Sequence, residues 1–296
     1  MDSTLFPRRL APLYGLVLAL LPVVIVAQEF WWQMQPLMAA AYLFMLCALA
    51  YYALREYWLE LATRGHEGGH GRVRSADLVM VAVFMLAYCG VWKLIYSFAR
   101  GHAGLGLAGV PWLDNDTTYY TLGIMLFLAI YWLAHQFPGV RFDFNLRWRF
   151  GLQDVAIVAG LGLLTWAGLA LYMQYYGTAH APMQVFGVAK GSVAPGMYAA
   201  VGMLFALANA LTEELWWRGV LMGALKPLLP PTRLIVYQGL AFGLLHWFGT
   251  PQGVLGVLLA GAWGMLLGWW VYKRGSLWPA VAVHFLADWL IFVHTN

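Results

Sequence analysis

Three short motifs in the last third of the chain combine acidic and imidazole side chains at the spacing of one helical turn. In a helix, side chains four residues apart lie on the same face, so each motif presents its polar groups together. Carboxylates and imidazoles are the groups that most often take a proton from water and return it to a leaving group. The motifs are Glu213-Glu214-x-x-x-Arg218, Phe242-x-x-x-His246 and His284-x-x-x-Asp288.

The first motif contains two carboxylates with different surroundings. Glu214 precedes Arg218 by four residues, which is the favourable order for an ion pair, and we interpret this pair as a structural brace. Glu213 lies on a different face of the same helix, which it shares with Asn209, and that face is suited to line a cavity. We therefore predict that Glu213 is the catalytic carboxylate.

The chemistry that suits these groups is the attack of water on an amide. Glu213 would accept a proton from the water and later deliver it to the leaving amine. His246, beside the aromatic ring of Phe242, would share and orient that water. His284 and Asp288 would stabilise the oxyanion. We predict below that the three helices cross a membrane. Counting about 1.5 Å per residue from the helix ends that would face the cytoplasm places their polar groups about 10–20 Å below that membrane surface, so their depths overlap.

The ordered trio of motifs, over about residues 195–294, resembles the CPBP (Abi) family of CAAX-type prenyl endopeptidases. The resemblance implies an eight-helix-type membrane endopeptidase in which Glu213 and His246 activate water. It also implies that His284 and the residue at position 288 form the oxyanion site. The family most often has Asn at that position, whereas this chain has Asp288, which donates a hydrogen bond only when it is protonated.

This difference leaves a metalloprotease as an alternative, with Glu213, His246 and His284 as zinc ligands. We favour the glutamate-type mechanism without a cofactor, because the histidines come from separate helices and do not form the usual helical zinc pair. A formal His-Glu-x-x-His match at residues 66–70 contains two adjacent glycines, which disfavour a helix by about 2 kcal/mol. We interpret that match as part of a solvated basic loop over residues 55–74.

The elements that position these motifs are predicted to be transmembrane helices. The chain is 62% hydrophobic and 10% charged, whereas soluble domains contain roughly 25% charged residues. Its apolar runs of about 17–25 residues are long enough to cross a bilayer. We predict an all-α, polytopic membrane helical bundle of eight or nine transmembrane helices, surrounded by lipid. The spans lie approximately at 11–27, 36–54, 77–99, 119–137, 153–176, 196–217, 233–248, 253–272 and 277–294.

The distribution of basic residues predicts the orientation. With the amino terminus in the cytoplasm, 14 of the 17 Lys and Arg residues fall on the cytoplasmic side, leaving Lys93, Arg100 and Lys190 on the other side. We expect a multi-pass protein of the inner (cytoplasmic) membrane whose first apolar run is an uncleaved anchor. The net charge of +4 then reflects topology, and no nucleic-acid partner is expected.

Ionisable residues inside the spans divide the chain into two parts. Residues 1–150 are predicted to form accessory N-terminal helices, and residues 151–296 the catalytic core. A charged group at a helix centre costs about 2.5–3.5 kcal/mol in a bilayer, so Glu213, Glu214 and Asp288 need partners or a watery cavity. The predicted function is an intramembrane endopeptidase that acts on a membrane-associated peptide or protein. Alternatives are a non-catalytic binding or immunity protein of the same family and a proton-coupled transporter.

Overall fold

The regular elements in the described part of the chain are helices, without strands, which confirms the predicted fold class. The computed structural model describes residues 11–29, 36–67, 75–92, 116–136, 142–176, 188, 190–247, 249 and 252–295. Within these ranges we number nine helices. They are α1 (Ala11–Glu29), α2 (Pro36–Glu67), α3 (Ser75–Phe84), α4 (Asp116–Gln136), α5 (Leu152–Tyr176), α6 (Pro195–Glu214), α7 (Pro231–Leu244), α8 (Gly253–Arg274) and α9 (Trp278–Thr295).

Two helices continue without a break into π-helical segments. Helix α3 runs into Met85–Trp92, and α6 runs into Leu215–Leu221 and then a final α-helical turn, Met222–Leu225. The π segment after α6 directly follows the two glutamates of the first motif and contains Arg218. Such π segments occur frequently at functional sites, because the wider turn changes the direction of the side chains.

Four stretches of the described chain are long and apolar enough to cross a membrane: Ser75–Trp92, Leu152–Tyr172, Pro195–Leu225 and Gly253–Arg274. Two shorter apolar helices cover Gly15–Ala27 and Trp278–Val293. Helix α5 exposes large apolar side chains such as Leu163 (67%) and Leu164 (69%), which are stable in contact with lipid but costly in water. The protein is therefore a membrane protein, while its orientation and the identity of its membrane stay predictions.

Two predicted boundaries were wrong. Helix α2 does not end near residue 54 but continues to Glu67, through the first part of the predicted basic loop. Leu, Ala, Glu and Arg dominate that extension, and they favour helix even where hydropathy falls. Helix α7 ends at Leu244 and not at 248, so His246 lies in the turn that follows. Of the His-Glu-x-x-His match, His66 and Glu67 end α2, and the rest lies outside the described residues.

Helices α7 and α8 pack with their backbones in direct proximity because glycines face each other. A Cβ atom added to Gly243 would lie 2.4 Å from the carbonyl oxygen of Val257 and 2.9 Å from the Cα of Gly261. Helices α6 and α9 approach in a similar way, since a Cβ on Gly202 would lie 2.1 Å from the ring of Phe292. The α6–α9 pair brings the first and third motifs together, and the ring of Phe242 joins the second motif to them through contacts with Trp217 and His284.

The N-terminal helices pack on this region through aromatic side chains. Phe84 and Tyr88 contact the indoles of Trp216 and Trp217, with ring centroids 5.3–6.0 Å apart. These four side chains belong to the same hydrophobic core as residues of α1, α7 and α9. The division of the chain at residue 150 into accessory and catalytic parts stays a prediction.

Candidate active site

A buried ion pair forms the base of the site. Glu214 and Arg218 have no exposed side-chain surface, and Arg218 Nη1 donates to Glu214 Oε1 at 2.8 Å, as the i,i+4 spacing predicts. Arg218 Nη2 also contacts the carbonyl oxygen of Gly264 at 3.4 Å, and the guanidinium lies 4.5 Å from the centre of the Phe242 ring. The buried positive charge is therefore surrounded by a carboxylate, a carbonyl dipole and an aromatic face.

Glu214 holds a second partner that the sequence did not reveal. His284 Nδ1 lies 2.8 Å from Glu214 Oε1, the same oxygen that accepts from Arg218. Because the carboxylate oxygen can only accept, Nδ1 of His284 carries the hydrogen. The other ring nitrogen of His284, Nε2, faces away from Glu214. Glu214 therefore does more than brace Arg218, since it also fixes the orientation of the His284 ring.

The remaining two carboxylates flank His284 Nε2. Glu213 Oε2 lies 3.7 Å from this nitrogen and Asp288 Oδ2 lies 3.6 Å from it. Both distances exceed a direct hydrogen bond but are within the reach of a shared water molecule. Among the described residues, Glu213 Oε2 is buried and has no hydrogen-bond partner. The structure thus brings Glu213, Glu214, His284 and Asp288 together, while their catalytic roles stay predictions.

His246 lies next to the Phe242 ring, in the turn after α7. Its ring centre is 4.5 Å from that of Phe242, which in turn is 6.2 Å from that of His284. His246 Nδ1 donates to the carbonyl oxygen of Phe242 at 2.8 Å, because a carbonyl can only accept. In the neutral imidazole this leaves Nε2 as the proton-accepting nitrogen.

Asp288 has a further neighbour on α6. Asn209 Nδ2 donates to Asp288 Oδ2 at 3.0 Å, and the hydroxyl of Tyr120 donates to Asn209 Oδ1 at 3.2 Å. Asn209 was predicted to share the face of Glu213, but Tyr120 of α4 was not predicted. A tyrosine within an apolar run has no sequence signal that separates it from the many tyrosines of a membrane protein.

A cavity of about 450 Å³ opens next to these groups. Its polar lining comes from His246, His284 and Asp288, while α5, α8 and α9 supply mostly apolar side chains. Tyr172 and Trp263 are the largest side chains of that wall. Glu213 is not one of the lining residues, although 17% of its side chain is exposed. Its carboxylate therefore lies at the margin of the cavity, next to His284 Nε2.

The donor set does not form a ready metal centre. Among the described residues, no group of three or more His, Cys, Asp or Glu side chains could hold a metal ion. Both histidines of the site already use Nδ1 for hydrogen bonds within the protein, to Glu214 and to the carbonyl of Phe242. Both histidines leave Nε2 free, and a histidine held through Nδ1 in this way can also ligate a metal through Nε2, so the zinc alternative, with Glu213, His246 and His284 as ligands, stays an alternative.

The fold and the site together define a helical membrane protein with a buried carboxylate–imidazole cluster beside an apolar cavity. Residues 195–290 match the family model of Rce1-like proteins, described as type II CAAX prenyl endopeptidase Rce1-like. This match confirms the resemblance predicted from the three motifs, over that part of the chain. No curated protein and no solved structure matches the chain significantly.

Proposed function

We propose that the protein hydrolyses a peptide bond of a membrane-associated peptide or protein, using water activated by Glu213 and His246. One observation carries this proposal: Glu213 and Asp288 flank Nε2 of His284 at 3.7 and 3.6 Å, beside a cavity that His246 also lines. Groups that take up protons and groups that stabilise an oxyanion are thus close enough to act on one substrate carbonyl.

The first step is the activation of water by Glu213. The buried Glu213 Oε2, which has no partner among the described residues, is available to accept a hydrogen bond from water. His246, with its hydrogen fixed on Nδ1, offers Nε2 to the same water and orients it. As the water oxygen bonds to the substrate carbonyl carbon, its proton moves to Glu213. Glu213 then returns this proton to the amide nitrogen as the C–N bond breaks.

The oxyanion formed in that step needs hydrogen-bond donors. His284 Nε2 and the carboxyl of Asp288 border the cavity, and both can donate to the oxyanion when they carry a proton. Preorganised donors in a site that excludes water are the largest contribution to catalysis in many acyl-transfer enzymes. The Glu214–Arg218 pair supports this role because it holds the His284 ring with a 2.8 Å hydrogen bond.

The proposal is tested by the loss of a single proton-accepting group. Purified protein in liposomes is incubated with a library of internally quenched apolar peptides, and wild type is compared with Glu213→Gln. The matched control is Asp143→Asn, which changes an exposed carboxylate paired with Lys226 at 3.4 Å.

We expect wild type and Asp143→Asn to cleave the same peptides at similar rates. Glu213→Gln should lower kcat by about 10²–10⁴-fold, the usual contribution of a general acid–base. Equal cleavage by wild type and Glu213→Gln would show that Glu213 is not the base. If no peptide is cleaved but the liposomes conduct protons, a transporter replaces the endopeptidase.

A further inference from the structure

A hydrogen-bonded chain leads from an N-terminal helix to the reacting groups. Tyr120 on α4 is 7% exposed, and its hydroxyl donates to Asn209 Oδ1 at 3.2 Å. Asn209 on α6 donates from Nδ2 to Asp288 Oδ2 at 3.0 Å. Tyr120 is 168 residues away from Asp288 in the sequence and is not among the residues that line the cavity, so Asn209 provides its hydrogen-bonded link to the site.

The direction of these two hydrogen bonds matters for Asp288. An Asn amide has one accepting and one donating end, and rotation by 180° exchanges them. Donation from Tyr120 to Oδ1 leaves the NH₂ group of Asn209 to face the carboxyl of Asp288. In the reversed orientation, an amide oxygen would face Asp288 Oδ2, and two acceptors would be in contact unless that oxygen were protonated. Because a tyrosine hydroxyl can donate or accept, the carboxyl of Asp288 selects this amide orientation, and the hydrogen bond from Tyr120 holds Asn209 in it.

This donation distinguishes the two oxygens of Asp288. Oδ2 accepts from Asn209 and lies 3.6 Å from His284 Nε2, so it is directed into the protein network. In a protonated carboxyl, the oxygen that carries the hydrogen is the weaker acceptor. Because Oδ2 accepts from Asn209, a proton on Asp288 would be carried by Oδ1. Because Asp288 lines the cavity, that arrangement presents the O–H donor to a substrate oxyanion.

We propose that Tyr120 is a positioning residue for the hydrolytic site, which acts through Asn209 to fix the orientation of the Asp288 carboxyl. The inference rests on the proposed endopeptidase function and extends it to a residue outside the region that matches the family model. It also gives α4 a chemical role, since the hydroxyl that orients the amide comes from this helix.

The test removes the Tyr120 hydroxyl and keeps its ring. The Tyr120 ring packs edge-to-face on Phe205 at 5.8 Å and on Tyr119 at 5.2 Å, contacts that Tyr120→Phe retains. The matched control is Tyr131→Phe on the same helix, whose ring packs on Phe127 and Phe144. For each variant, kcat and KM on the same quenched peptide are measured in liposomes, and rates are divided by the folded fraction obtained from tryptophan fluorescence.

We expect Tyr120→Phe to lower kcat about two- to tenfold, the effect of one neutral hydrogen bond, with KM unchanged. Tyr131→Phe should leave both constants unchanged. In an Asp288→Ala background, measured in single turnovers at high enzyme concentration, Tyr120→Phe should have no further effect on the rate. A second variant, Asn209→Ala, should lower kcat at least as much as Tyr120→Phe does. The double variant, Asn209→Ala with Tyr120→Phe, should have the same kcat as Asn209→Ala alone.

Two results would overturn this inference without affecting the proposed function. One is an unchanged kcat in Tyr120→Phe while Glu213→Gln still abolishes cleavage. The other is the same fold-decrease from Tyr120→Phe with and without Asp288, because a packing role persists when the carboxyl is removed. Absence of cleavage by wild type refutes the proposed function itself, and the positioning role with it.

Discussion

Removal of the negative charge of Glu214 should destabilise the protein and not only its activity. Glu214→Gln keeps the length and shape of the side chain, but it removes the carboxylate that is hydrogen-bonded to the buried Arg218. Both side chains have no exposed surface, and Glu214 Oε1 accepts from Arg218 and from His284 at 2.8 Å each. The substitution therefore weakens two charge-assisted hydrogen bonds at once.

The magnitude follows from what remains around Arg218. Breaking a buried ion pair by removing one partner costs about 3–5 kcal/mol. Arg218 keeps the carbonyl of Gly264 at 3.4 Å and the ring of Phe242 at 4.5 Å, and a desolvated cation–π contact stabilises by about 2 kcal/mol. We therefore expect a loss near the lower end, about 3 kcal/mol, from a total stability of about 5–15 kcal/mol.

A double substitution separates charge from packing. In Glu214→Gln combined with Arg218→Met, neither charge is buried, so most of the lost stability should return. The coupling energy of this cycle should be at least about 2 kcal/mol, as expected for residues in direct contact. The matched cycle is Asp143→Asn with Lys226→Met, an ion pair whose side chains are 45% and 34% exposed, and its coupling should stay below about 1 kcal/mol.

The assay is reversible unfolding in mixed micelles followed by the fluorescence of the 16 tryptophans. Peptide cleavage is measured on the same preparations. The double variant should regain stability but not activity, because His284 still lacks the carboxylate that orients its ring. A coupling energy below about 1 kcal/mol for the buried pair would refute the reasoning, as would full activity in the double variant.

Three further outcomes are expected. Strong chelators should leave peptide cleavage intact, and complete loss that zinc restores would overturn the metal-free mechanism. Asp288→Asn should retain much more activity than Asp288→Leu, because an amide can still donate to the oxyanion, and equal rates would remove Asp288 from the site. Gly243→Ala should destabilise the protein by about 1–3 kcal/mol, because its Cβ would lie 2.4 Å from the carbonyl oxygen of Val257. In Gly160→Ala, apart from the adjacent helix backbone, no atom of the described residues would lie within 4 Å of the added Cβ. This substitution should therefore be neutral or slightly stabilising in the same unfolding assay.

Local spacing predicted the contacts that a single helix determines. Four-residue spacing was sufficient for the Glu214–Arg218 pair and for the proximity of His284 to Asp288, because helix geometry fixes which side chains share a face. The same argument placed Asn209 on the face of Glu213, but its hydrogen bond to Asp288 on another helix was not predicted. The helix ends were less predictable, since residues after position 54 lose hydropathy but keep helix propensity, and α2 therefore continues to Glu67.

Contacts between distant segments were not predictable from spacing. The hydrogen bond from His284 to Glu214 joins residues 70 positions apart, and that from Tyr120 to Asn209 joins residues 89 apart. A third example is Asn145, in a left-handed conformation with φ 54°, whose amide donates to the carbonyl oxygen of Arg218. Asn tolerates this conformation better than most residues, but the sequence around it does not show which carbonyl it reaches.

These distant contacts connect the N-terminal half of the chain to the side chains around the site. Trp217 donates from its indole to the hydroxyl of Tyr88, and its ring packs on Phe242 at 5.4 Å. The π-helical segment after α3 thus supports the aromatic side chain that contacts His246 and His284. Packing that excludes water strengthens the attraction between the charges of Arg218 and Glu214, because this attraction weakens as the dielectric constant of the surroundings rises. Helices that the sequence presents as accessory thus supply part of the low-dielectric wall around the charged groups. A truncated chain that retained every polar residue of the three motifs but lacked that wall would expose the ion pair and lose the orientation of His284.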